Sequence, residues 1–189
     1  MHFIAAITNL LLIVACGYAL YVLEPAQNPY GYLAASFSLV HGLLGLVRAY
    51  QEEEDECGRA FVFSSSILEV IPLPLANIEF YLISDLSPLA MVHALSLIPL
   101  LYDVLGKMDD EWDTATETLK DLALLANIAS TSYLGFEDEN EIYYAVAGLA
   151  FLARYGATLV DYLINGIGVH VATLGNAGIV ALMAYTLTN

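Results

Sequence analysis

Glu69 sits three residues before Pro72 and five before Pro74, inside the otherwise uncharged stretch Ser64-Ser65-Ser66-Ile67-Leu68-Glu69-Val70-Ile71-Pro72-Leu73-Pro74. Each proline removes a backbone donor and crowds the preceding helical turn. The spacing therefore predicts a helix break, with carbonyls from about Leu68 to Val70 left without helical partners. Within hydrocarbon, such a break is tolerated where it faces protein or a water-filled cavity. A carboxylate beside free carbonyls can bind a cation or take up a proton; the competing reading is a kinked structural helix in which Glu69 is neutralised by a neighbour.

Arg154 is the natural neighbour. It falls in the middle of a later apolar stretch, at a depth matching that of Glu69, and a central membrane charge costs about 2.5–3.5 kcal/mol on insertion scales. A buried Glu69–Arg154 ion pair is the expected solution, because removing either partner would strand the other. His41 and His93 fall at similar depth, and with Glu69, Asp103 and Asp161 they outline a candidate ion or proton path. His170 lies nearer a helix end. Asp103, Asp161, Glu79 and Asp85 all lie toward helix ends, where they face a vestibule or reach water.

Several chemistries are disfavoured. Gly-x-Ser-x-Gly, His-Glu-x-x-His and phosphate-binding glycine loops are absent, and no lysine lies in the last apolar stretch to hold a retinal Schiff base. A zinc hydrolase built on His41, His93 and His170 has no local ligand pair to support it. The acidic runs Glu52–Glu56, Asp109–Glu111 and Glu137–Glu139 lack the alternating ligands and glycine of a calcium loop, although they can attract cations loosely. We expect no catalytic residue, no metal and no cofactor. With 21 acidic residues against five Lys plus Arg, a net charge of -16, the chain has no basic surface for nucleic acid. Cys16, in an apolar run, and Cys57, in an acidic loop, are poorly placed for a disulfide.

The elements that must position these groups are apolar and long. Hydrophobic residues make up 59% of the chain and its mean hydropathy is +0.67, so the fold class is all-α, a polytopic transmembrane helical bundle forming a single membrane domain over residues 1–189. The spans predicted are 3–23, 30–47, 60–83, 86–105, 119–136, 142–164 and 166–187, each near the roughly 20 residues that cross a bilayer. The count is seven, or six if 119–136 is interfacial or re-entrant, since its uninterrupted apolar part is short. The polar lead-in 109–118 reads as an interfacial helix with Trp112 as headgroup anchor. Phe3–Leu23 lacks the basic leader of a cleaved signal and is expected to stay as an anchor.

Arg48 and Arg59 flank the second loop and Lys107 and Lys120 bracket the fourth, which with seven crossings puts the N-terminus in the cytoplasm. Short loops, down to the Asn165-Gly166 turn, force antiparallel neighbours. Small residues such as Gly168, Ala172, Gly175 and Gly178, with Ala153 and Ala157, are expected to let helices approach closely. Gly42-Leu43-x-x-Leu46-x-Arg48 and Gly148-Leu149-x-x-Leu152-x-Arg154 match over seven positions, which chance explains. Tyrosines near span ends, among them Tyr18, Tyr21 and Tyr144, fit interfacial belts.

Two functions follow. The favoured one is a non-catalytic accessory, assembly or scaffold subunit of a larger membrane complex, with the lipid bilayer and other membrane-protein subunits as its partners. The alternative is a small cation- or proton-linked transporter or channel built on Glu69, Arg154, His41 and His93.

Overall fold

The computed structural model describes residues 2–50, 56–108 and 114–189. Within them there is helix and no strand. Helix α1 (His2–Val22) carries no charge between its ends and stops before Glu24-Pro25. Helix α2 (Pro29–Arg48) begins on a proline, whose fixed φ suits the first helical position. Its cap residue Asn28 makes no side-chain cap bond. The buried carboxylate of Glu79 takes that role instead, its Oε1 accepting from Tyr30 N at 2.7 Å and Gly31 N at 3.0 Å. Glu79 thus points into the bundle at a helix N-terminus, where negative charge is favoured, rather than reaching water.

Helices α3 (Glu56–Val70) and α4 (Pro72–Ile83) form one proline-interrupted rod. Ile71 keeps helical angles, and the bonds Ile71 N to Ile67 O and Leu75 N to Ile71 O bracket the break. The interruption therefore lies in the missing donors of Pro72 and Pro74 rather than in unwinding. A 3₁₀ helix (Ser87–Ser96) then leads into α5 (Leu97–Met108), and α6 (Thr114–Glu137) follows. Helix α7 (Glu141–Phe151) runs through a π-helical turn (Leu152–Gly156) into α8 (Ala157–Leu163), and α9 (Gly168–Thr188) closes the chain.

Six of these helical stretches are long and apolar enough to cross a membrane: 3–22, 29–48, 58–83, 87–108, 141–163 and 168–188. They coincide with six of the seven expected spans to within a few residues. The remaining one, α6, is a single unbroken helix of 24 residues that begins at Thr114, so the polar 114–118 stretch belongs to it. Trp112 and the acidic runs at 52–55 and 109–111 lie outside the described residues.

Two departures from plain α-helix were not expected. The ten-residue 3₁₀ stretch is long for its kind, and it carries Ala90, His93 and Ser96 in one buried row at three-residue spacing. The π-turn holds Arg154 in mid-helix. The core cluster is centred on α4, which is buried along nearly its whole length against α2, α6, α9 and the 3₁₀ helix. Cys16 is buried there as a free thiol.

The short turn before α9 is held by Asp161, whose Oδ1 accepts from Gly166 N at 2.8 Å and Gly168 N at 3.1 Å. Gly166 has φ 84°, which a side chain would strain. Small residues are used unevenly. A Cβ at Gly175 would lie 2.7 Å from Ala153 Cβ and one at Gly168 would lie 2.5 Å from Ala157 O, whereas Gly148 has open space around it. Gly42 packs on Ile13 of α1, so the two arms of the matching heptapeptides do different jobs. Gly168→Ala should lower stability by about 1–3 kcal/mol through overpacking against backbone, with Gly148→Ala near neutral. Thermal denaturation of both variants in detergent or nanodiscs checks this, and equal melting temperatures would refute it.

Candidate functional site

Three cations and four carboxylates meet toward the end of the bundle that carries Arg48 and Lys107. Lys120 of α6 is fully buried, with side-chain exposure 0%, and its Nζ lies 3.0 Å from Glu69 Oε2, 3.0 Å from Asp103 Oδ2 and 2.8 Å from Glu117 Oε1. Arg154 contacts Glu69 through Nη1, Glu117 through Nη2 at 3.5 Å, and Asp121 through Nε at 2.6 Å. Glu69 and Glu117 are each shared by both cations, so Glu69–Arg154–Glu117–Lys120 closes as a ring of alternating charge. Lys107 joins through Asp103 at 2.9 Å and donates to Ser66 Oγ at 2.6 Å. The ring ties α3, α6 and the π-turn together, and Asp103 attaches α5.

Beside the ring lies a cavity of about 560 Å³, within the usual range for small-molecule sites. Glu69, Arg154, Lys107, His41, Arg48 and Asp161 reach it, as do Ser65, Thr173 and Asn176. Ala150, Ala153, Ala157 and Ala172 line it as well; their short side chains leave the space unfilled. His41 Nδ1 is 2.9 Å from Ser64 Oγ, which itself donates to Phe61 O. Nδ1 is therefore the donor of that bond. Arg48 lies over the Phe61 ring at 4.9 Å, a cation–π contact.

Of the residues expected to form a path, the structure brings His41, Glu69 and Asp161 to this cavity, with Arg154, the expected partner of Glu69, beside them, and Asp103 to the adjoining ring. His93 stands apart. Its Nδ1 donates to Asn127 Oδ1 at 2.8 Å and its Nε2 is 3.4 Å from Ser130 Oγ. Asn127 also donates to Ser96 Oγ, Asn77 donates to Asn127 O and Oδ1, Thr131 donates to Asn77 Oδ1, and Tyr81 pairs with Ser130 at 2.6 Å. This is a buried, mutually satisfied hydrogen-bond network, the arrangement that fixes helix register. His170 contacts Thr8 at 3.4 Å, so the three histidines lie in separate environments, and no group of three or more metal-ligating residues occurs among the described residues.

The sequence did not single out Lys120, Glu117 and Asp121 as site residues: Glu117 falls in the expected interfacial lead-in, and Lys120 and Asp121 at the loop-side end of the 119–136 span. A signal was present: Glu117, Lys120, Leu124, Asn127 and Thr131 recur at three- and four-residue spacing, the mark of one helical face. That face is the buried one, while Leu119, Leu122, Leu125, Tyr133 and Phe136 are exposed.

Among the described residues the chain is all-helical, with six helices apolar enough to cross a membrane and a cavity lined in part by charged side chains. It belongs to the family described as Domain of unknown function (DUF4791), whose model matches residues 25–187. No curated protein and no solved structure matches it.

Lys120→Met should cut folded yield sharply, by the equivalent of about 3–5 kcal/mol, because three carboxylates lose a buried counter-charge. Adding Asp103→Asn should restore part of that yield. The monodisperse fraction in size-exclusion chromatography reports both, and a well-folded Lys120→Met single variant would show that the ring carries little of the stability.

Proposed function

We propose that this chain is a seven-span integral membrane protein that works as a small transporter linked to a proton or cation, with the cavity beside Glu69 and Arg154 as its site. The observation that carries the reading is the Glu69–Arg154 contact. Both side chains line the cavity and meet there, one beside the Pro72 and Pro74 interruption and the other on a π-turn. Helix irregularities are characteristic of transport sites, because they free backbone groups and permit two packings.

The seventh span is α6. Lys120, Asn127 and Thr131 face the bundle while Leu119, Leu122, Leu125, Tyr133 and Phe136 face outward, an orientation suited to lipid rather than water. Seven crossings then put Arg48, Arg59, Lys107 and Lys120 toward one side, which positive charge marks as cytoplasmic. On this reading the N-terminus is cytoplasmic, as is the end of the bundle where Arg48, Lys107 and Asp161 reach the cavity. The accessory or scaffold role, with other membrane subunits as partners, needs no cavity of this size; the cavity therefore favours transport.

The test is proton and monovalent-cation flux in liposomes containing purified protein. Native protein should conduct or exchange, and Glu69→Gln should retain a folded profile in size-exclusion chromatography while losing at least tenfold in flux. A silent native protein, with Glu69→Gln affecting only stability and Glu69→Gln plus Arg154→Gln restoring it, would sink the transport reading in favour of the accessory one.

A further inference from the structure

We infer that the cavity accepts an organic anion with an apolar body; the inference rests on the transport reading and names its substrate class. Although the chain carries a net charge of -16, three of its five Lys and Arg residues, Arg48, Lys107 and Arg154, reach this one cavity. The two carboxylates that also reach it are already engaged. Glu69 is shared between Lys120 and Arg154, and Asp161 holds the amides of Gly166 and Gly168. The carboxylates that balance the other cations, Asp103, Glu117 and Asp121, are absent from the cavity wall.

Arg48 is different. Among the described residues its guanidinium makes no ion pair, and its one described contact is the face of Phe61. It is the last residue of α2, and its charge repels a cationic ligand while offering an anionic one a charge-assisted hydrogen bond. Beyond Arg48 the wall is mainly apolar, with Phe61, Val62, Leu73, Leu124, Val169 and Ile179, interrupted by the neutral polar side chains of Ser65, Thr173 and Asn176. A bare inorganic anion would leave that surface wet. A carboxylate or phosphate bearing a hydrocarbon or aryl group fills both parts, its charge at Arg48 and Lys107 and its body toward Ile179.

The experiment places a single cysteine at Ala172, on the cavity wall, in a Cys16→Ala, Cys57→Ser background reconstituted in nanodiscs. Its modification is timed with an anionic sulfonatoethyl and a cationic trimethylammonioethyl thiosulfonate, each normalised to a free thiol. The normalised anion-to-cation rate ratio should exceed about 3 and fall at least threefold in Arg48→Gln, while Arg48→Lys keeps it. Octanoate should slow modification more than acetate does, and octyltrimethylammonium should not.

A ratio below one, or protection by the ammonium rather than octanoate, overturns the anion assignment while leaving the cavity intact. A ratio unchanged by Arg48→Gln overturns the role of Arg48. Protection by acetate equal to that by octanoate overturns the apolar body. No reaction with either reagent in a folded protein overturns the cavity, and with it the transport reading beneath.

Discussion

The burial of Lys120 governs the rest of this fold. An ammonium with no exposed surface is tolerable only if carboxylates surround it, and Glu69, Asp103 and Glu117 do so from three different helices. Once that requirement is met, the positions of α3, α5 and α6 relative to one another are set. Arg154 follows, because Glu69 and Glu117 each carry more negative charge than one shared cation neutralises. The guanidinium, with its planar fork of donors, meets Glu69, Glu117 and Asp121 through three different nitrogens. The π-turn supplies the extra residue that brings this side chain into line.

The two polar systems of the protein are segregated by chemistry. Toward one end, full charges form the ring; toward the other, amides, hydroxyls and His93 form a neutral network around Asn127. Leu124 sits between them on α6, buried. The neutral network costs less to bury and holds register, whereas the ring borders an open space. Chemistry that depends on charge therefore belongs to the ring, and the His93 network serves as its fixed frame.

Much of the fold was legible in the sequence, for a simple reason: six helices among the described residues are apolar enough on average to cross a membrane, and hydropathy registers that directly. What it does not register is a helix that is polar inside and apolar outside. Thr114–Glu137 averages out as indifferent because Lys120, Asn127 and Thr131 offset Leu119, Leu122 and Phe136, and only periodicity separates the two faces. The pairing partners of Glu69 were partly visible, since Arg154 shares its depth. Lys120 was hidden by its place near a loop, although it lies a full turn and more inside α6. Neither the 3₁₀ nor the π geometry leaves a mark in composition, because both answer to tertiary contacts: His93 and Ser96 reaching Asn127 in one case, Arg154 reaching three acids in the other. Glu79 likewise looked like an end-of-helix carboxylate and proves to hold the first amides of α2, a role defined by a residue 48 positions earlier in the chain.

The long 3₁₀ stretch has a mechanical consequence. At about 2.0 Å per residue against 1.5 Å for an α-helix, ten residues in this form are extended by roughly 5 Å, close to one helical turn. The same ten residues wound as α-helix would place Asp103, which follows on the same rod, out of register with Lys120 by about that distance. The length of this segment thus sets where Asp103 stands along the bundle, and the hydrogen bonds of His93 and Ser96 with Asn127 hold it at that length.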